Sequence, residues 1–250
     1  TFDFAYITIH GTPGENGILQ GYFNLIGMPF SCCDVLASAL TFDKYVCNQF
    51  LRNFDIAVAP SVVLRHRQTI SNADIVEKLG LPLFVKPSAG GSSFGITKVK
   101  EADRLSLAIE KAFKESDEVV VESFIAGTEV TCGMYKTRRK TVVLPVTEVV
   151  SKNEFFDYDA KYKNQSDEIT PARISDTLTR QIQATTEKIY DLVGAKGIVR
   201  VDYIIEESGR IVLLEVNTTP GMTPQSFLPQ QIKAAGLSIQ DVMRDIIEDA

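Results

Sequence analysis

One predicted hairpin near the end of the chain constrains the fold more than any other segment. Residues 197–217, GIVRVDYIIEESGRIVLLEVN, contain two runs rich in Val, Ile and Leu on either side of the turn-forming pair Ser208-Gly209. A two-residue loop at that turn pairs Glu207 with Arg210, and the pairing of the residues farther out follows by counting. Four polar residues then form two cross-strand pairs, Asp202 with Glu215 and Arg200 with Asn217. Because alternate residues of a strand point to the same side, all four lie on one face of the hairpin.

That polar face has two interpretations. In a half-exposed antiparallel hairpin, it would simply be the side that meets water. The run VLLE at residues 212–215 is apolar on both faces up to its carboxylate, however, and this favours burial on both sides. Buried carboxylates need a cation, and two carboxylates with an amide oxygen form a hard-oxygen set that magnesium takes beside water and nucleotide phosphates. We therefore predict Asp202, Glu215 and Asn217 as magnesium ligands, with an apolar opposite face of Val201, Tyr203, Leu214 and Val216.

A glycine-rich hairpin is predicted earlier in the chain, in LPLFVKPSAGGSSFGITKV at residues 81–99. Lys86 lies inside the apolar run LFVKP, directly before the turn, where an ammonium group without an anion would be costly. Backbone N–H groups of such a turn can approach phosphates closely. A Gly/Ser hairpin is often no more than a turn, and this one opens no helix and is not GxxxxGK(S/T). The lysine in the apolar strand is what favours a nucleotide phosphate as its partner.

The order of the predicted elements indicates three parts. Residues 2–9 are predicted as a strand, followed by the loop HGTPGENG and a short helix that ends at Gly27. A parallel α/β domain needs several such units, so residues 1–40 are predicted to be the remnant of an N-terminal substrate domain whose first part is absent. Residues 41–122 are predicted as a small central domain bearing the glycine-rich hairpin, and residues 123–250 as a C-terminal catalytic domain with a mixed sheet.

Capping residues predict most of the helices. One helix should start after Asp34, another should carry Lys44 behind an N-cap near Thr41, and a long one should run from Ser175 to about Val193. An amphipathic helix is predicted over residues 101–115, and two short helices near the C-terminus. Residues 151–173 are polar, dotted with aromatic residues and without periodicity, which is typical of a lid or of a disordered loop.

Composition excludes several classes of function. The 26 basic and 32 acidic residues give a formal charge of −6, which provides no footprint for nucleic acid and no polybasic membrane patch. Apolar runs are too short to cross a membrane and the start lacks signal-peptide features, so a cytosolic protein is expected. Only two histidines are present, so a bound metal should be oxygen-liganded. The cysteines, Cys32, Cys33, Cys47 and Cys132, lack zinc or disulfide spacing and are expected to be buried reduced thiols.

Seven segments occur together in an order and spacing that resemble D-alanine:D-alanine ligases of the ATP-grasp superfamily. They are HGTPGENGILQG, ALTFDKY, LFVKPSAGGSSFG, VVVESFIAGTEVT, YDAKY, VRVDY and LLEVNTTPGMT, and they cover essentially the whole chain. The resemblance implies an α/β (α+β) ATP-grasp fold in which the central domain closes over ATP lying on the C-terminal domain. It also implies ligation of two D-alanines for peptidoglycan precursor synthesis, with ATP and two Mg2+ ions (Mn2+ possible), by a cytoplasmic homodimer.

The resemblance assigns nucleotide-binding roles residue by residue. Lys44, Lys86 and Lys161 would contact ATP phosphates, and Glu122 would meet the adenine amino group. The backbone of Ser123, Phe124 and Ile125 would complete the adenine site, with Glu129 on the ribose hydroxyls and Ser92 in the turn over the phosphates. Without the motifs, Lys44 and Glu129 would be interpreted as solvated surface charges.

Substrate-binding and catalytic roles follow in the same way. Arg200 and the backbone N–H of Gly221 would stabilise the oxyanion of a tetrahedral intermediate, and Ser226 would bind the carboxylate of the second D-alanine. Tyr162, linked to Ser92, would close the substrate pocket, unless it merely anchors the lid. Glu15 would line the first D-alanine site, and His10 beside it is equally well interpreted as a loop-end histidine.

Two departures from the family pattern and two alternatives remain open. The N-terminal strand, turn and helix that supply a glutamate to the first D-alanine site are missing, and Ser123 stands where a basic residue is common. A ligase that takes D-lactate as its second substrate is one alternative, against which Tyr162 argues. A truncated nucleotide-binding module without ligase activity is the other.

Overall fold

The computed structural model describes residues 2–66, 70–90, 95–151 and 166–249. Eight helices are described: α1 Ile18–Leu25, α2 Val35–Phe42, α3 Lys44–Arg52, α4 Asn72–Leu79, α5 Leu105–Ala112, α6 Asp176–Leu192, α7 Phe227–Ala234 and α8 Ile239–Asp249. A short 3-10 helix, Ala102–Arg104, precedes α5. Ten strands accompany them: β1 Ser61–Arg65, β2 Leu83–Pro87, β3 Thr97–Val99, β4 Glu118–Ser123, β5 Thr128–Lys136, β6 Thr141–Val143, β7 Thr147–Ser151, β8 Ser166–Ile169, β9 Ile198–Ile205 and β10 Ile211–Asn217.

The strands form two separate antiparallel sheets. The smaller sheet has the order β1-β4-β2-β3, and the larger has the order β10-β9-β5-β7-β8, with β6 also paired to β5. All named strand pairs are antiparallel, and the only parallel element of the larger sheet within the described ranges is a single bridge between Val58 and Leu213. The predicted α/β combination of helices with a small hairpin-bearing sheet and a larger C-terminal sheet is therefore confirmed, but the C-terminal sheet was predicted to be mixed and its named strands are all antiparallel.

Each sheet has its own hydrophobic core. Helices α4 and α5 cover one face of the smaller sheet, where Leu83, Val85, Val119 and Val121 are fully buried. Helix α6 packs on one face of the larger sheet through Ile182 and Ile189, and α7 and α8 pack on the other face through Leu228, Ile232, Val242 and Ile246. Burying one such side chain stabilises a fold by roughly 1.5–3 kcal/mol, so the packing of these helices contributes substantially to the stability of both sheets.

Helix ends follow the capping chemistry, with one correction. Asp34 caps α2, Ser175 caps α6 through the Leu178 N–H, and Gly194 ends α6 with a positive φ of 64°, as predicted. The N-cap of α3 is Asp43, whose Oδ1 accepts from the Val46 N–H at 2.9 Å, and the predicted cap near Thr41 is wrong. Thr41 lies inside α2, where its hydroxyl donates to the Ala37 carbonyl at 2.8 Å.

Two further predictions about local structure need correction. Residues 2–9 form no strand in the described structure, because Ala5 makes only a single parallel bridge with Phe30. Residues 166–169 belong to β8, paired with β7, although they were predicted within the long loop. Residues 152–165 of the predicted lid lie outside the described residues, whereas residues 170–173 are described and follow β8.

The state of the cysteine thiols and the character of the described helices bear on two further predictions. All four cysteines are free and buried, and burial raises the pKa of Cys33, Cys47 and Cys132 to about 12, so these thiols are poor nucleophiles. Among the described helices, none has the length and apolar character needed to cross a membrane.

Candidate active site

The β9–β10 hairpin brings its four polar side chains together as predicted, but with a different loop and a different strand register near the turn. Asp202 pairs with Glu215 and Arg200 pairs with Asn217. The loop is longer than the predicted two residues, because Glu206 rather than Glu207 bonds to Arg210, with Gly209 at a φ of 83°. The ladder then shifts by one residue between Leu213 and Glu215, which is a β-bulge at Leu214. The longer loop makes Leu213, and not Leu214, pair with Tyr203 and enter the core, and the bulge then restores the predicted pairs of Glu215 and Asn217.

Arg200 and Asp202 form a buried ion pair at the centre of this face. The Arg200 guanidinium donates from Nε to Asp202 Oδ1 at 2.9 Å and from Nη2 to Asp202 Oδ2 at 2.8 Å. Burial by itself would lower the pKa of Arg200, but the carboxylates of Asp202 and Glu215 raise the pKa above its ordinary value. Arg200 therefore stays cationic, and Phe227 at the start of α7 packs under it with its ring centroid 5.2 Å away.

Glu215 and Asn217 complete an oxygen-rich group around Asp202. The Asn217 amide nitrogen lies 3.2 Å from Asp202 Oδ2 and 3.2 Å from Glu215 Oε1, so one point is within reach of both carboxylates. Turning the amide by half a rotation would place its oxygen at that point and give three hard oxygen donors. In the described parts of the chain no three His, Cys, Asp or Glu side chains form a metal cluster, so this mixed set is the candidate cation site.

The smaller sheet carries a second buried ion pair, between Lys86 on β2 and Glu122 on β4. The Lys86 Nζ atom donates to Glu122 Oε1 at 2.6 Å, and both side chains are 9% exposed. The predicted need of Lys86 for an anion is thus met within the protein by Glu122. Phe124, directly after β4, packs against Phe84 and has the Lys98 ammonium 3.9 Å from its ring centroid.

Lys44 connects the two sheets. Its Nζ atom donates to the Gly90 carbonyl in the glycine-rich turn at 2.7 Å and lies 3.8 Å from Glu215 Oε2 on β10. The Lys44 side chain is only 13% exposed, so its interpretation as a solvated surface charge is wrong. The glycine-rich turn and the carboxylates of the larger sheet therefore border one another across a single ammonium group.

Two loops close the other end of the polar face. In the loop before α1, the Gly11 N–H donates to Glu15 Oε2 at 2.6 Å, and His10 Nδ1 lies 3.8 Å from Glu15 Oε1. The loop after β10 contacts it, because the Thr219 hydroxyl donates to the Gly14 carbonyl at 3.3 Å. A Cβ atom on Gly221 would lie 2.7 Å from Ser226 Oγ and 3.8 Å from His10 Nε2, so the structure brings these three residues together.

The other predicted site residues lie farther from the polar face of the β9–β10 hairpin or outside the described residues. Glu129 pairs with Ile204 across β5 and β9, which places it on the same face as Asp202 but toward the end of the sheet. Ser123 donates its hydroxyl to the Leu79 carbonyl at 2.8 Å, and Ile125 lies half-buried in the loop beyond β4. Ser92, Lys161 and Tyr162 lie outside the described residues.

Two further residues, Thr131 and Gln231, belong to the site and are not among those predicted from the sequence. The Thr131 hydroxyl donates to Asp202 Oδ1 at 2.5 Å, and the Gln231 side chain on α7 bonds to the Thr131 carbonyl at 3.0 Å and the Gly133 N–H at 2.9 Å. Thr131 stands two residues after Glu129 in TEVTCGMY, so alternation alone could have placed it on the polar face. No local signal identifies Gln231.

Solved structures of ATP-grasp ligases share this fold, and the protein is therefore an ATP-grasp ligase by class. The fold matches that of the VanG D-Ala:D-Ser ligase from Enterococcus faecalis with a TM-score of 0.89 and 39% identity, over 99% of this chain and 73% of that chain. It also matches the D-alanine–D-alanine ligase from Bacillus anthracis complexed with ATP, with a TM-score of 0.85 and 31% identity, over 99% of this chain and 79% of that chain.

Sequence comparison specifies the family. The family model described as the D-ala D-ala ligase C-terminus matches residues 50–248. The D-alanine–D-alanine ligase of Bacteroides fragilis is 63% identical to this chain, and that of Parabacteroides distasonis is 64% identical. Each alignment covers 99% of this chain, and 76% and 75% of the respective relative. The chain therefore belongs to the D-alanine–D-alanine ligase family.

Proposed function

We propose that this protein joins two D-alanines at the expense of ATP, forming D-alanyl-D-alanine, ADP and phosphate. The observation that carries the proposal is the convergence of Arg200, Asp202, Glu215 and Asn217 on one buried face, in a chain 63% identical to a D-alanine–D-alanine ligase. Family membership further supports a homodimer that acts in peptidoglycan precursor synthesis in the cytoplasm.

ATP would lie between the two sheets. Lys44, which already bridges the glycine-rich turn and Glu215, and Lys86 would bind its phosphates together with Lys161 and Ser92. Glu122 has acceptor positions beyond the one used by Lys86 and would receive the adenine amino group. The backbone of Ser123, Phe124 and Ile125 would line the base, and Glu129 the ribose.

Two magnesium ions would be held by Asp202, Glu215 and Asn217, whose oxygen donors fit a hard cation. When bound, the ions would neutralise the charge that develops on the β- and γ-phosphates. Mn2+ has the same preference for oxygen and is expected to substitute.

The protein's own contribution to the reaction is positioning and charge. The first D-alanine, beside Glu15, attacks the γ-phosphorus through its carboxylate oxygen, and the bond to the β-phosphate oxygen breaks to release ADP. The amine of the second D-alanine, whose carboxylate is held by Ser226, then attacks the acyl phosphate carbonyl. Arg200 and the Gly221 N–H would stabilise the resulting oxyanion, and its collapse expels phosphate while the amine loses a proton. Tyr162 and the lid would exclude water, which would otherwise hydrolyse the acyl phosphate.

Phosphate release in the presence of ATP and magnesium tests the proposal. Release is expected with D-alanine and not with L-alanine, and D-lactate or D-serine as second substrate should give little product. Arg200→Lys keeps a cation but cannot form the two-pronged contact with Asp202, and turnover should fall by on the order of 10²–10³. ATP binding without phosphate release would instead favour the nucleotide-binding module, and product formation with D-lactate would favour the depsipeptide-forming alternative.

A further inference from the structure

Thr131 carries a buried hydroxyl in the middle of β5 that none of the roles above uses. Thr131 is only 1% exposed, and it pairs directly with Asp202 on the neighbouring strand β9. The Thr131 Oγ1 atom donates to Asp202 Oδ1 at 2.5 Å. Thr131 therefore acts on the proposed metal ligand from within the sheet.

The hydrogen bonds of the Asp202 carboxylate show which of its oxygens the Thr131 hydroxyl occupies. An ionised carboxylate has about two acceptor positions on each oxygen. Oδ1 accepts from Thr131 Oγ1 and from Arg200 Nε, so both of its positions are filled. Oδ2 accepts from Arg200 Nη2 and from the Asn217 amide, and turning that amide toward a cation frees one of its positions. Oδ2 is therefore the oxygen that Asp202 can offer to a cation.

We propose that Thr131 is a positioning residue that fixes the Asp202 carboxylate with Oδ2 presented to the metal–nucleotide complex. The inference rests on the proposed function. Without the hydroxyl, Oδ1 has an open acceptor position and the carboxylate can turn about its Cβ–Cγ bond, carrying Arg200 with it. Gln231 supports the arrangement by holding the Thr131 carbonyl and the Gly133 N–H against α7.

Two substitutions separate the hydroxyl from the shape of the side chain. Thr131→Val keeps the shape and removes the hydroxyl, whereas Thr131→Ser keeps the hydroxyl and removes the methyl group. Binding of Mn2+ in the presence of ADP, followed by electron paramagnetic resonance, should weaken by about 10- to 100-fold in Thr131→Val and by less than about threefold in Thr131→Ser. In the ligase assay, the apparent KM for magnesium should rise in Thr131→Val while the KM for D-alanine stays near that of the wild type.

Each outcome decides between the two roles. Wild-type Mn2+ binding by a folded Thr131→Val would overturn the inference, and so would equal weakening in Thr131→Ser, since packing of the methyl group would then be responsible. If the valine variant does not fold, Thr131→Ala is measured instead, because it removes the hydroxyl without adding a methyl group in the same position. A wild-type chain that binds no Mn2+ with ADP would overturn the proposed metal site and this inference with it, before any variant is compared.

Discussion

Replacing Lys86 by methionine is expected to destabilise the protein strongly, because it leaves the Glu122 carboxylate buried without a cation. The two groups are 2.6 Å apart and both side chains are 9% exposed, so little water can take the place of the ammonium group. Breaking a buried ion pair from one side costs about 3–5 kcal/mol. Glu122→Gln leaves the Lys86 ammonium without an anion, but its amide oxygen can still accept from Lys86, so it should cost about 3 kcal/mol, the lower end of that range.

The double variant tests whether the unpaired Glu122 charge is what destabilises Lys86→Met. In Lys86→Met/Glu122→Gln the buried group is a neutral amide rather than a carboxylate, and leaving an amide unpaired costs about 1–3 kcal/mol. Adding Glu122→Gln to Lys86→Met should therefore recover roughly 2 kcal/mol of stability, although each substitution alone is destabilising.

Urea unfolding of the four proteins, without nucleotide and well above the ordinary pKa of a glutamate, measures these differences. Lys78→Met, at an exposed lysine on α4, is the matched control and should change stability by less than about 0.5 kcal/mol. A double variant less stable than Lys86→Met, or a Lys86→Met variant that is no less stable than the control, would contradict this expectation.

Two further predictions concern the ends of the larger sheet. Gly221→Ala places a Cβ atom 2.7 Å from Ser226 Oγ, so kcat/KM for D-alanine should fall by on the order of 100-fold while Mn2+–ADP binding is retained, and unchanged kinetics would contradict the assigned roles. The side-chain hydrogen bonds from Arg173 lower the pKa of Glu148 below its ordinary value of 4.5, so their contribution to stability is present above that pH and lost as the pH falls through the lowered pKa. The stability difference between the wild type and Glu148→Gln, measured by urea unfolding, should therefore shrink below pH 4.5, and a constant difference would contradict it.

Local chemistry predicted the helix ends because a cap acts within one turn of chain. Asp34 and Ser175 each satisfy an N–H no more than three residues away, and Gly194 ends α6 because it adopts a positive φ. The error at Thr41 has the same local origin, since Asp43 two residues later competes for the cap and has the better acceptor. A sequence window that contains two capping residues does not decide between them.

Contacts between distant strands could not be predicted in this way. Thr131 and Asp202 are 71 residues apart, and nothing in either segment specifies that β5 pairs with β9 rather than with another strand. The Lys44 contact with Gly90 likewise depends on how α3 meets the turn after β2. Family resemblance assigned Lys44 its role, whereas the burial that supports the role is visible only in the fold.

The register of the proposed metal ligands shows how a correct prediction can follow from two wrong premises. The predicted hairpin has a two-residue loop and an unbroken ladder, whereas the structure has a three-residue loop and a bulge at Leu214. Each difference shifts the register by one residue, and the two shifts cancel beyond the bulge.

With the longer loop and no bulge, Glu215 would pair with Val201 and point into the core under α6, because a one-residue slip moves every side chain to the other face. A carboxylate there would have no cation, at a cost of several kcal/mol. The bulge at Leu214 leaves Leu213 in the core opposite Tyr203 and places Glu215 beside Asp202, so the polar pairing itself favours the irregular ladder. For this hairpin, the pairing of the proposed metal ligands therefore depends on the bulge as well as on the turn.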